Sequence, residues 1–110
     1  MKLIGNVPIC IIQGDTRDYK IKFEDGFDDL IDKIIFTSKD LEIEEEMTYL
    51  NDEKSWIYSF TSVQTQVEPS DFYSYDITIY FKDGDILSET KIPLKIVKKE
   101  NPVENPVYGE

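Results

Sequence analysis

Two short acidic stretches of this sequence carry residue types that bind metal ions. Asp25, Asp28 and Asp29 share one stretch, and Asp83 and Asp85 share the other. Carboxylate oxygens are the ligands that Ca²⁺ prefers, but neither stretch has the spacing of an EF-hand loop. The second stretch also contains the Asp-Gly pair of a tight hairpin turn. We therefore expect two solvated acidic loops, with no metal site and no other cofactor.

The sequence lacks the side chains on which most catalytic sites depend. It contains no histidine and a single cysteine, Cys10, so Ser-His-Asp and Cys-His arrangements are excluded. One cysteine also rules out an internal disulfide and a cysteine-rich zinc site. No pair among the many carboxylates stands out as an acid–base pair. We predict that the protein is not an enzyme. Cys10 lies in the apolar run between Ile9 and Ile12, where we expect a buried thiol.

The net charge of the chain limits the kinds of partner that it can bind. Twelve Lys and Arg residues stand against 23 Asp and Glu residues, which gives a net charge of −11. Such a chain repels nucleic acid phosphates and anionic membrane surfaces. The opening "MKLIGNVPICII" is interrupted by Asn6 and Pro8 and does not fit a signal peptide. We expect no nucleic acid partner, no membrane partner, and a soluble protein made in a reducing compartment.

The hydrophobic pattern indicates strands. Alanine is absent and aromatic residues make up 13% of the chain, a composition that favours β-structure. Tyr19, Ile21 and Phe23 alternate with two lysines, which is the period of a strand with one buried face. Patterns of this kind predict about seven strands, at residues 9–13, 19–23, 34–38, 40–50, 56–60, 73–81 and 92–96.

The segment 40–50 has two interpretations. As a strand, it places Leu41, Ile43 and Met47 on one face but also brings Glu45 onto that face. As a helix, it groups Ile43, Met47 and Leu50. We favour a strand with a kink or bulge near Glu45.

The clearest hairpin in the sequence spans residues 70–96. Asp83-Gly84 lies between two alternating segments and predicts a tight primed turn. Pro93 lies within the returning segment. Because proline cannot donate a backbone hydrogen bond, this strand should lie at an edge or carry a bulge at that point.

About seven short strands with regular turn signals predict an antiparallel, immunoglobulin-like β-sandwich. The hairpin should face the sheet that holds Trp56, Tyr58 and Phe60, and the loop at 61–71 should cross between the sheets. Tyr73 or Tyr75 would anchor that crossing through a hydrogen bond to a backbone group of the loop. We predict one domain over residues 1–98. Residues 99–110, which repeat Asn-Pro-Val, should form an extended or flexible tail.

Several stretches resemble small virion-associated proteins of bacteriophages and prophages: "IIQGDTRDYKIKF", "DLIDKIIFTSKD" and "VEPSDFYSYDITIYFKDGDILSETKIPLKI". The resemblance depends on Gly14-Asp15-Thr16, Asp29-Leu30, the Tyr-x-Tyr-Asp-Ile segment at 73–77, and Asp83-Gly84. It covers most of the chain from Ile11 to Ile96. The chain is similar to the amino-terminal domain of baseplate upper proteins and to related immunoglobulin-like tail modules.

This resemblance implies a non-enzymatic structural role in the assembly of a tail or baseplate. The implied partners are other virion proteins, and a homo-oligomer would follow from the symmetry of such a structure. The implied location is the virion, after synthesis in the host cytoplasm.

Two other functions compete with this one. A glycan- or surface-binding module would need Trp56, Tyr58 or Tyr80 to face outward, although burial in the core is the commoner fate of Trp56. An acidic mimic of DNA would need Glu42, Glu44 and Glu46 along one strand face, about 7 Å apart.

Overall fold

Eight β-strands dominate the computed structural model, which describes residues 8–99. They are β1 Ile9–Ile12, β2 Arg17–Ile21, β3 Ile31–Ser38, β4 Ile43–Glu46, β5 Thr48–Leu50, β6 Ser55–Phe60, β7 Ser70–Phe81 and β8 Ile86–Val97. A 3₁₀ turn, Asp28–Leu30, precedes β3, and a short helix α1, Ser62–Thr65, precedes β7. The all-β prediction is confirmed, with eight strands in place of about seven. Residues 1–7 of the predicted domain and residues 100–110 of the predicted tail lie outside the described residues.

The strands form two sheets that pack face to face. One has five strands in the order β1-β8-β7-β3-β4, and the other has three in the order β2-β6-β5. Every pairing is antiparallel except that of β1 with β8. The predicted β-sandwich is therefore confirmed, and the β7–β8 hairpin lies in the sheet opposite β6, as expected.

Stacked aromatic rings join the two sheets at the centre of the core. Phe36 on β3 has no exposed surface and stacks on Tyr58 at 4.7 Å and on Tyr75 at 5.1 Å between ring centroids. Its edges contact Phe60 at 5.3 Å and Tyr19 at 5.9 Å. Tyr75 comes from the five-stranded sheet with Phe36, and the other three rings come from the three-stranded sheet. One ring thus contacts both layers.

The ambiguous segment 40–50 is where the chain passes from one sheet to the other. β4 pairs with β3, whereas β5 pairs with β6. The buried Met47 separates them, and its N–H donates to the carbonyl oxygen of Ile34 at 2.8 Å. The strand interpretation is right and the helical alternative is wrong. The break lies at Met47 and not at Glu45, which is opposite Phe36 on an edge strand and stays exposed.

The turn between β7 and β8 differs from the prediction. The N–H of Phe81 donates to the Asp85 carbonyl at 2.9 Å, so the loop has three residues, and Gly84 is the one with positive φ, at 99°. This is the geometry of a type I turn followed by a glycine bulge. The two-residue primed turn is wrong because the Lys82 N–H bonds outside the hairpin, to the Leu30 carbonyl at 2.9 Å.

β8 carries a bulge two residues before Pro93. Lys91 has φ of 57°, and its N–H donates to Asp76 Oδ1 at 2.8 Å, where the register with β7 shifts. The bulge was therefore predicted correctly in kind but not in position. β1 pairs with β8 only from Leu94 to Val97, so Pro93 falls just outside the doubly paired part of the strand.

Cys10 is exposed, which contradicts the sequence prediction. Strand β1 alternates, so Ile9 and Ile11 face the core while Cys10 and Ile12 face outward. The apolar run predicted burial on both faces, but one face of this edge strand is not covered.

The crossing loop is anchored by Tyr73. Its hydroxyl donates to the carbonyl oxygen of Glu68, five residues upstream, at 2.6 Å. The hydroxyl of Tyr75 instead donates to that of Tyr19 in the core. The loop also contains α1, which the sequence analysis missed although Thr61 and Gln64 form a capping box at its start.

We predict that Phe36→Ala lowers the free energy of unfolding by about 3–5 kcal/mol, because a large buried ring leaves a cavity between the sheets. Urea unfolding followed by tryptophan fluorescence measures this. Phe72→Ala is the matched control, since Phe72 is 90% exposed, and should change stability by no more than about 0.5 kcal/mol. Equal losses in the two variants would contradict the packing described.

Tyr73→Phe should lower the free energy of unfolding by about 1 kcal/mol, since it removes one hydrogen bond and keeps the ring. The same denaturation measurement applies. Tyr80→Phe is the control, because its ring lies under the Lys33 ammonium at 5.0 Å and keeps that contact. If the Tyr73→Phe protein were as stable as Tyr80→Phe, the hydrogen bond from Tyr73 to the crossing loop would contribute nothing to stability.

Candidate interaction site

An open cleft lies at one end of the sandwich, between the 3₁₀ turn and the β7–β8 turn. Its volume is about 610 Å³. We call it the tip cleft. Its lining residues are Asp29, Leu30, Phe81, Lys82, Asp83, Asp85, Ile86 and Leu87. A concave, mainly apolar surface with a few polar groups is the usual form of a binding site.

One wall of the tip cleft is held by a single carboxylate. Asp28, the first residue of the 3₁₀ turn, accepts a hydrogen bond from Trp56 Nε1 at 3.0 Å through Oδ1. Its Oδ2 accepts one from the Tyr49 hydroxyl at 3.2 Å. Trp56 and Tyr49 lie opposite each other on β6 and β5. The turn is therefore fastened to the three-stranded sheet, and the next residues, Asp29 and Leu30, are positioned at the cleft.

The two walls are joined at their base. The Lys82 N–H donates to the Leu30 carbonyl, which links the hairpin tip to the 3₁₀ turn. Nearby in sequence, the Phe27 ring meets the Phe81 ring edge-on, with 5.7 Å between centroids, and lies tilted against the Phe23 ring at 5.0 Å. Backbone bonding and ring packing together fix the distance between the walls, so the tip cleft is a preformed feature.

The floor of the tip cleft is apolar. Leu30 is 55% exposed and Ile86 is 60% exposed, and Phe81 and Leu87 are partly buried beside them. We call these four residues the apolar floor. Other large hydrophobic side chains are also exposed, namely Ile12, Val63 and Phe72, but none of them lines this cleft. Single exposed apolar residues are ordinary, whereas a concave group of them points to a partner.

Three carboxylates border this floor. Asp29 comes from the 3₁₀ turn, and Asp83 and Asp85 come from the hairpin tip. We call them the acidic rim. The two acidic stretches that the sequence presented separately therefore meet at one cleft. Lys82 is the one basic residue among the lining side chains.

The acidic stretches have structural roles that the sequence did not reveal. Asp28 bonds to the two aromatic residues, and Asp83 Oδ1 accepts a hydrogen bond from the Asp85 N–H at 2.9 Å within the turn. Residues 8–99 include no cluster of three or more acidic or cysteine side chains arranged to hold a metal ion.

Two of the three aromatic residues considered for a glycan platform lie in the core. Trp56 is 6% exposed and Tyr58 is 7% exposed. Tyr80 faces outward, with the Lys33 ammonium over its ring. The expected burial of Trp56 is confirmed, and the described residues present no flat row of exposed rings from this set.

The acidic stripe considered for DNA mimicry is shorter than the sequence suggested. Glu42 precedes β4 and has φ of 58°, so it does not continue the strand alternation. Glu44 and Glu46 remain exposed on one face of β4. Glu45 lies on the other face, and its charge adds to the burial that raises the pKa of Tyr58.

A pair of hydroxyl groups lies within the aromatic core. Tyr75 Oη donates to Tyr19 Oη at 3.0 Å. Burial raises the pKa of both phenols above the ordinary value of 10.0, and the nearby charge of Glu89 adds to the effect. Both rings are therefore held in the neutral form that the core requires.

We predict that the protein loses stability steeply above pH 10. The unfolded chain releases these two protons near pH 10, whereas the folded protein retains them, so each further rise in pH favours unfolding. Tyr75→Phe should make the decline shallower between pH 10 and 11.5, as measured by urea unfolding at several pH values. Phe72→Ala, which removes no ionisable group and lies on the surface, should keep the wild-type slope. Parallel curves for wild type and Tyr75→Phe would contradict the raised pKa.

The chain was compared with protein-family models and with curated proteins. No family model matches it, and no curated protein matches it. Within residues 8–99, no helix has the length and apolar character that crossing a membrane requires. The interpretation of the site therefore depends on its geometry.

Proposed function

We propose that this protein is a non-enzymatic, immunoglobulin-like module of a bacteriophage or prophage tail or baseplate that acts through contacts with other virion proteins. The supporting observation is the strand order. The order of the five-stranded sheet, β1-β8-β7-β3-β4, corresponds to the A′GFCC′ sheet of immunoglobulin-like sandwiches. The order of the three-stranded sheet, β2-β6-β5, corresponds to their BED sheet. β7 takes the place of strand F in this correspondence.

A tyrosine contact at the start of β7 also supports the immunoglobulin-like assignment. Immunoglobulin-like domains place a tyrosine near the start of strand F, and its hydroxyl bonds to a backbone group a few residues upstream. Tyr73 makes this bond to Glu68 at the start of β7.

The turn motifs that carry the resemblance to tail proteins are also tertiary contacts. Gly14 has φ of 82°, and its N–H donates to the Thr65 carbonyl at 3.2 Å. Thr65 Oγ1 in turn donates to the Asp15 carbonyl at 2.7 Å. The other two motifs, Asp29-Leu30 and Asp83-Gly84, supply opposite walls of the tip cleft. Because the fold and its contact surface require these residues, the shared motifs favour a shared architecture between this chain and the tail proteins that it resembles.

In this proposal the protein is made in the host cytoplasm and is carried in the virion, with the tip cleft as one contact surface. Packing against neighbours in a symmetric tail would also produce homo-oligomers. In this proposal the sandwich acts through its surfaces.

The proposal predicts that the protein copurifies with phage particles. Particles from the bacterium that encodes the chain should be purified on a density gradient and disassembled into head and tail fractions. Quantitative mass spectrometry should then find the protein in the tail fraction in a fixed ratio to the tail proteins. Deleting its gene should give particles with incomplete tails in electron micrographs. Intact, infectious particles that lack the protein would contradict the proposal.

A further inference from the structure

We infer that the tip cleft binds an extended segment of a partner protein in which an apolar side chain is flanked by lysine or arginine. This inference rests on the proposed function, which it extends by naming the chemistry of the partner. The apolar floor would take the apolar side chain, and the acidic rim would take the flanking cations.

The apolar part of this inference follows from exposure. Leu30 and Ile86 each expose more than half of their surface to solvent, although both line a concave surface. Covering them removes apolar surface from water, at about 25 cal/mol per Å². Neither side chain fills space in the core, so the core does not account for hydrophobic residues at these positions.

The charge of the partner follows from the rim. The acidic rim contributes three negative charges and Lys82 contributes one positive charge, around a floor without polar side chains. The whole chain carries a net charge of −11, so its field attracts cations toward the cleft from a distance. An acidic segment would meet the like charges of the acidic rim.

The same charges disfavour a second copy of this protein as the occupant. Two tip clefts brought face to face would place one acidic rim against another. Like charges opposed across an interface repel each other and suppress the pairing. A basic partner has complementary charge.

The shape of the occupant follows from the neighbouring strand edge. β8 leaves the tip cleft at Ile86, and β1 pairs with it only from Leu94 onward. Among residues 8–99, no strand lies along the outer edge of β8 before Leu94. An extended segment that leaves the cleft in this direction can add its backbone to that edge, as in other cases of strand addition.

The test uses two synthetic peptides, each acetylated and amidated. The first has a central Leu-Ile pair between two Lys-Lys pairs, and the second replaces Leu-Ile with Ser-Ser. Each is titrated into the ¹⁵N-labelled protein, with affinity and chemical-shift changes measured at two salt concentrations. The Leu-Ile peptide should shift the amides that line the tip cleft and should bind about tenfold more tightly than the Ser-Ser peptide.

Matched variants separate the cleft from general attraction to an acidic protein. Leu30→Ser/Ile86→Ser keeps the net charge and should weaken binding of the Leu-Ile peptide about tenfold. Val63→Ser/Phe72→Ser removes two apolar side chains elsewhere that are even more exposed, and should change affinity less than about twofold.

The rim is tested in the same way. Asp29→Asn/Asp85→Asn should weaken binding about tenfold and reduce its salt dependence. Glu44→Gln/Glu46→Gln removes the same number of charges from β4 and should change affinity less than about threefold. Urea unfolding of each variant confirms that the fold is intact.

Three outcomes would overturn the inference: no difference between the two peptides, equal losses in the cleft variants and their controls, or shifts spread over the whole acidic surface. Light scattering that shows a dimer abolished by Leu30→Ser/Ile86→Ser would also overturn it, since the occupant would then be a second copy. These results are independent of the virion test. Peptide binding without incorporation into particles would refute the proposed function alone, and incorporation without peptide binding would refute this inference alone.

Discussion

The Phe36 ring is the contact on which the rest of the structure depends. It is fully buried and stacks on Tyr58 of the three-stranded sheet and on Tyr75 of its own five-stranded sheet. Short strands of this kind are not stable alone, because each sheet exposes one apolar face until another layer covers it. A ring that contacts both layers couples their stability, so the sheets should form and unfold together.

The tip cleft depends on that core through two links. Asp28 joins the 3₁₀ turn to Trp56 and Tyr49 of the three-stranded sheet, and the Lys82–Leu30 backbone bond joins the turn to the hairpin of the five-stranded sheet. The cleft therefore spans the ends of both layers. A surface held from both sides loses little conformational entropy when a partner binds, which favours affinity. The carboxylate that resembled a metal ligand in the sequence is what holds this surface in place.

Much of the sandwich could be predicted from the sequence because the period-two alternation records which face of each strand is buried. The alternation could not show where the chain changes sheets. It predicted one strand over residues 40–50, although Met47 divides that segment between two strands. It also failed at Cys10, where a continuous apolar run predicted burial on both faces of a strand that has only one covered face. The tip cleft could not be predicted, because its walls are far apart in sequence and meet only through tertiary contacts. The one local signal available was the acidic character of both walls.

The most direct test of this packing is a nuclear Overhauser spectrum of the protein with its aromatic side chains assigned. The stacking distances place the ring protons of Phe36 within reach of those of both Tyr58 and Tyr75. Cross-peaks from Phe36 to both tyrosines are therefore predicted, one across the interface between the sheets and one within the five-stranded sheet. Cross-peaks to Tyr75 without any to Tyr58 would mean that the layers are not joined by this ring, and would contradict the structure from the core outward.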